Sequence, residues 1–198
     1  MPALLLASRN PHKLQEIRQL FEPEWEVLDV AGFPEAPEVE ETGETFEDNA
    51  VLKAVAISGL FAGLVLADDS GLEVDALGGA PGVHSARFAG PGATDANNRH
   101  LLQQKLRAFD QVRFPARFRC VMALAKKKEI LGTFAGVVDG TVITRERGTG
   151  GFGYDSMFIP NGYDRTFGEL PSTIKNSLSH RARALDQVRE FLGKRQVR

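Results

Sequence analysis

Short apolar runs that pass without transition into polar, ligand-capable residues are the feature that most limits what this chain folds into. Leu4-Leu5-Leu6-Ala7 leads directly into Ser8-Arg9-Asn10-Pro11, and Leu64-Val65-Leu66-Ala67 into Asp68-Asp69-Ser70-Gly71. Continuous apolar runs of this length read as buried strands, and open α/β sheets place ligands beyond the carboxyl ends of such strands. Helical spacing follows each run or precedes it. Pro11 suits a first helical position, with Leu14, Ile17, Leu20 and Phe21 on one face behind it. Thr45 and Asp48 form a capping-box-like start for a long helix striped by Phe46, Ala50, Ala54, Ile57 and Phe61, with Asn49 and Lys53 one turn apart on a different face.

The remaining segments fit the same class. Residues 34–44 are rich in proline and acid and read as an irregular loop. Thr94 opens a helix with Leu102, Leu106 and Phe109 as its apolar edge. Residues 116–125 and 129–138 read as strands joined by the turn Lys126-Lys127-Lys128, and a third strand over 141–144 leads into the cluster Gly148-Thr149-Gly150-Gly151-Phe152-Gly153. From Ser179 the chain is helical, with Leu185, Val188 and Leu192 on one side. Without an internal repeat or a long linker, residues 1–198 are expected to form one domain.

Composition narrows the function. With 42% hydrophobic and 25% charged residues the chain is of ordinary globular type. Its formal net charge of -2 argues against binding polymeric nucleic acid, where phosphate neutralisation by a basic surface supplies most of the affinity. A small anion remains compatible, since a few cations and backbone amides suffice to hold it. The single cysteine, Cys120, lies in an apolar run, reads as a core residue, and fits a reducing cytoplasm. No apolar run approaches the roughly 20 residues that span a bilayer, so no membrane association is expected.

Four stretches carry candidate chemistry, each with a plain structural alternative. The loop from Ser8 to Lys13 offers a hydroxyl, an amide and an ammonium at a helix start, which suits a triphosphate but equally an ordinary helix cap. Asp68-Asp69 after a strand suits magnesium, which takes one or two carboxylates plus phosphate oxygens and water; a strand-ending turn is the alternative. In Phe152-Gly153-Tyr154-Asp155 the glycines allow close approach of a flat ligand on which the aromatic ring stacks, unless the segment is only a hairpin turn. Ser179-His180-Arg181 places cations at a helix start, unfavourable to the dipole unless a negative group lies near; a cap plus two surface residues is the alternative.

In order along the chain, Ser8-Arg9-Asn10-Pro11-His12-Lys13, Glu40-Glu41-Thr42-Gly43, Asn49-Ala50-Val51-Leu52-Lys53-Ala54, Ala67-Asp68-Asp69-Ser70-Gly71-Leu72, Gly79-Ala80-Pro81-Gly82, Gly150-Gly151-Phe152-Gly153-Tyr154-Asp155 and Ser179-His180-Arg181 closely resemble the inosine triphosphate pyrophosphatase family, in particular its bacterial members acting on dITP and XTP. The resemblance runs from about residue 4 to about residue 191. It implies an α/β fold with an elongated mixed central sheet flanked by helices, two lobes with the active site in the cleft between them, and a homodimer. The implied activity is magnesium-dependent hydrolysis of ITP, dITP and XTP to the monophosphate and pyrophosphate. By motif position the resemblance makes Glu40 and Asp69 the magnesium ligands, Asp69 also the proton acceptor, and Lys53 the group that orients water. Ser8, Arg9, Asn10, Pro11, His12 and Lys13 would meet the phosphates. Ser70, Phe152, Gly153, Tyr154, Asp155, Lys175, His180 and Arg181 would line the nucleotide site, with Asp68 behind the metal. Where many relatives have an acid before the lysine that matches Lys175, this chain has Ile174. A pyrophosphatase of modified pyrimidine nucleotides and a non-catalytic nucleotide sensor are the rival readings.

Overall fold

A computed structural model describes residues 2–196. It begins with β1 (Ala3–Leu6), α1 (Pro11–Phe21) and β2 (Glu26–Asp29), followed by α2 (Phe46–Ser58) and β3 (Leu64–Val74). Next come α3 (Asp95–Leu106), β4 (Arg113–Lys126) and β5 (Glu129–Ile143). The chain closes with β6 (Phe158–Pro160), α4 (Ser172–Leu178) and α5 (His180–Gln196). The strands form one mixed α/β sheet in the order β2-β1-β3-β4-β5-β6. β1 pairs in parallel with β2, Leu4 opposite Val27, and with β3, Leu5 opposite Val65. β5 and β6 are antiparallel, with Gly140 opposite Pro160. Among the described residues no helix is long and apolar enough to cross a membrane.

The chain divides into two compact units. One comprises residues 1–69, 120–136 and 181–198, the other residues 70–119 and 137–180. Each has a core of its own. In the first, Leu4, Leu6, Leu66, Cys120, Met122 and Leu124 of the sheet pack with Leu14, Ile17 and Phe21 of α1 and Leu185, Val188 and Leu192 of α5. These strand residues are of even number because side chains alternate between the faces of a sheet. In the second unit Leu72, Leu102, Leu106, Phe114, Phe118, Phe158 and Phe167 are among the residues of a core that mixes aliphatic and aromatic side chains.

Local chemistry accounts for most boundaries. Asn10 caps α1, its side chain accepting from the amides of His12 and Lys13, and Pro11 opens the helix. Thr45 and Asp48 close a reciprocal capping box at the head of α2, and Thr94 and Asn97 do the same for α3. Lys127 and Lys128, both at positive φ, turn the chain between β4 and β5.

Several boundaries differ from expectation. β3 does not stop at residue 67 but carries Asp68 and Asp69 inside the strand. The two strands expected over 129–138 and 141–144 are one, β5, because Gly140 is no turn; a Cβ there would collide with the Ile159 carbonyl and the Phe158 ring of the paired β6 segment. The helix α4 has no apolar stripe long enough to announce itself over its 7 residues. Phe61 and Phe109 lie beyond the ends of α2 and α3.

Candidate active site

In the first unit a set of charged side chains gathers around the two aspartates of β3. Adjacent residues of a strand point to opposite faces, and the two carboxylates accordingly meet different partners. Asp68 is on the face that packs α1 and α5. It is fully buried and lies 2.9 Å from Lys13 Nζ and 3.5 Å from Arg181 Nη2. Arg181 also donates to Glu16 of α1. Burial by itself would raise the Asp68 carboxyl, but the charges of Lys13, Arg181 and Lys53 outweigh it and hold the group well below the usual carboxylate range. Arg181, at the start of α5, has the negative neighbours that a cation at a helix N-terminus requires.

Asp69 faces α2. Its Oδ2 accepts from Asn49 Nδ2 at 3.0 Å, and its Oδ1 is 3.8 Å from Lys53 Nζ. Lys53 is anchored by two further bonds, to Glu41 Oε1 at 2.8 Å and to the backbone oxygen of Asp68 at 2.6 Å. Burial raises the Asp69 carboxyl and the Glu41 charge adds to this; Lys53 and Lys13 oppose without cancelling it. Lys53 itself is lowered by burial but raised on balance by Asp68, Asp69 and Glu41, so its ammonium persists. Asn49 ties this arrangement to the acidic loop, because its Oδ1 accepts from the Gly43 amide at 2.8 Å. The capping box places Asn49 and Lys53 one turn apart on the same side of α2.

The loop before α1 is occupied with its own structure. Ser8 Oγ accepts from the Asn10 amide at 3.3 Å, and Asn10 Oδ1 takes the amides of His12 and Lys13 at 2.9 and 3.3 Å. Arg9 donates to the Ala36 carbonyl at 2.8 Å, while Pro11 and His12 are exposed. Glu40 is exposed; the neighbouring Glu41 is the acid bonded to Lys53. Among the described residues no group of three or more His, Cys, Asp or Glu side chains is disposed to hold a metal ion.

The second unit assembles the other motif residues. Asp155 Oδ2 accepts from Lys175 Nζ at 2.6 Å and from the Phe152 amide at 2.9 Å, with Asp155 and Lys175 both buried. Lys175 Nζ also stands 4.8 Å from the centre of the Phe152 ring, a cation–π contact. Ile174, the departure from the family pattern, packs on the aromatic core and leaves Lys175 in this position. Gly151, at φ +72, admits the carboxylate where a Cβ would strike Asp155. Tyr154 is buried and donates its hydroxyl to the Ser85 carbonyl at 2.9 Å. His180 is buried with its ring stacked on Phe118 at 4.9 Å and an interplanar angle of 13°. Ser70, the first residue of this unit along β3, is half-buried.

Two participants escape a reading of the sequence. Glu41 is one of five acids in an irregular loop, where no periodicity separates it from Glu40. Glu16, three residues after Lys13 on α1, carries the signal of sharing its face, but its partner Arg181 is 165 residues away.

Comparison with known proteins places these features in a family. A sequence profile described as the Ham1 family matches residues 4–191. A protein of Desulforamulus reducens named dITP/XTP pyrophosphatase is 45% identical over 192 residues, covering 96% of each chain. Another of the same name from Exiguobacterium is 46% identical, covering 93% of this chain and 94% of the relative. The structure of a HAM1 protein from Coxiella burnetii superposes with a TM-score of 0.87 at 39% identity, covering 98% of this chain and all of the other.

Proposed function

The chain belongs to the Ham1 family, and from that premise we propose that it hydrolyses non-standard purine nucleoside triphosphates (ITP, dITP and XTP) to the monophosphate and pyrophosphate, clearing them from the nucleotide pool. The observation that carries the chemistry is the unequal treatment of two adjacent carboxylates. Asp68 is neutralised by Lys13 and Arg181 and held in its ionised form, whereas Asp69 is raised by burial and shares the Lys53 ammonium with Glu41. A carboxylate made more basic in this way is suited to accept a proton from water.

In this reading Asp69 takes the proton of a water that attacks the α-phosphorus. Lys53, fixed by Glu41 and the Asp68 carbonyl, orients that water. Residues Ser8 to Lys13 meet the phosphates, Lys13 supplying charge. Asp69 and Glu40 are the proposed magnesium ligands. The donor chemistry fits: both residues offer carboxylate oxygens, and a cation would return the buried Asp69 carboxyl to its charged form. When bound, magnesium would withdraw charge from the phosphates. Phe152 stacks on the base, with Gly153, Tyr154, Asp155, Lys175 and Ser70 shaping its surroundings. His180 and Arg181 are retained as donors to a 6-carbonyl. A homodimer is proposed from the family resemblance, and a cytoplasmic location from the single cysteine.

Incubation with a panel of triphosphates and magnesium tests the reading. ITP should yield IMP and pyrophosphate in equal amounts, activity should disappear with EDTA, and Asp69→Asn should slow turnover by at least the ~10²–10⁴ of a lost general base. Diphosphate and orthophosphate as first products, or near-normal turnover in Asp69→Asn, would overturn it.

A further inference from the structure

Resting on that reading, we propose that Asp95 and Arg99 of α3 are positioning residues for nucleobase binding, acting by clamping the backbone of Gly153 beside Phe152. Both polar groups of Gly153 are taken by α3. Its amide donates to Asp95 Oδ2 at 2.7 Å, and its carbonyl accepts from Arg99 Nη1 at 2.9 Å. Asp95 and Arg99 are four residues apart and lie on one face of the helix.

The clamp is specific to Gly153 in three respects. First, Asp95 is not needed as a helix cap, since Thr94 and Asn97 form the capping box of α3 without it. Second, Arg99 is itself held: its Nε donates at 2.8 Å to Glu146 Oε2, which also accepts from Ser156 Oγ at 3.0 Å. Third, Gly153 lies at φ +58, a backbone conformation that L side chains rarely adopt, and has no side chain whose packing could hold it there. The fold restrains a residue of high conformational freedom from outside.

The consequence falls on the aromatic ring. Asp155 draws in the Phe152 amide and Lys175 from the other side of Gly153, and Lys175 stands over the Phe152 ring. Rotation at Gly153 would separate Phe152 from Asp155. Loosening the clamp therefore degrades base binding while leaving Asp69 and Lys53 as they are.

Pyrophosphate release from ITP and ATP by the full-length protein, with wild type, Asp95→Ala, Arg99→Ala, the double variant and Asp95→Asn, tests this. In each alanine variant KM for ITP should rise about tenfold, the scale of one charge-assisted hydrogen bond, with kcat within about twofold. The KM for ATP should rise by a similar factor, because stacking accepts any base face, and the double variant should lose little more than either single one because both act on one residue. Asp95→Asn keeps an acceptor oxygen and should recover most of the loss. If Asp95→Ala fails to fold, Arg99→Met carries the test. An unchanged KM for ITP, or a loss that falls on kcat instead of KM, overturns the clamp. Wild type inactive on ITP overturns the functional reading and the clamp with it, whereas active wild type with unaltered variants overturns the clamp alone.

Discussion

At the scale of single residues, Lys13, Asp68, Arg181 and Glu16 form a chain of alternating charge whose ends lie three apart on α1. Such a set is stabilising only while complete, because removing one member leaves a buried charge without compensation. Asp68→Asn should cost about 3–5 kcal/mol on that basis. The pH dependence has a definite sign. The folded-state pKa of Asp68 lies below its unfolded value, so its contribution is fully present above the unfolded value of about 4 and is lost as pH falls through the folded one. Urea unfolding in EDTA should show the gap between wild type and Asp68→Asn widest near neutrality and narrowing below about pH 4. A gap that stayed constant down to pH 3 would show that the carboxylate is not the source.

Among the elements, α2 is the one on which the candidate chemistry depends, since it carries both Asn49 and Lys53. Its head is set by Thr45 Oγ1, which accepts from the Asp48 amide at 3.1 Å, and by the Asp48 carboxylate, which accepts from the Thr45 amide at 3.2 Å. Thr45→Ala should lower stability by about 1 kcal/mol, read as a lower urea midpoint with an unchanged slope. Because the first turn of α2 also orients Asn49, ITP turnover should fall along with it. A midpoint equal to that of wild type would mean that tertiary packing of Phe46, Ala50 and Ala54 sets the start of the helix without the cap. This helix was legible in the sequence because cap and stripe agree. β5 was not, since Asp139-Gly140 resembles a turn until the close approach of β6 explains the glycine.

For the whole molecule, Cys120 offers a probe. It lies on β4 in the core of the first unit, fully buried, and burial foremost, with the Asp68 charge next, pushes its thiol up to about 12. The thiolate is the reactive form, so the native protein at pH 8 should resist an aromatic disulfide reagent and release one equivalent only on unfolding, at a rate limited by opening of that core. Rapid stoichiometric reaction under native conditions would show that the core around α1 and α5 opens locally.

What the sequence by itself determined was local and periodic: the caps of α1, α2 and α3, the apolar runs of β1 and β3, the stripe of α5, and the ordered motifs that mark the Ham1 family. Such signals lie within a few residues of one another, where hydrogen-bond geometry and side-chain period act directly. Tertiary structure alone decided the partners. Asp68 and Asp69 are equivalent as letters, and only the alternation of a strand that continues to Val74, with α1 and α5 packed on one face and α2 on the other, gives the first to Lys13 and Arg181 and the second to Asn49 and Lys53. The same holds for Glu41 over Glu40, and for the grip of α3 on Gly153 across 54 and 58 residues. Charges and backbone groups choose partners by distance in space, and that distance is set by the packing of the whole chain.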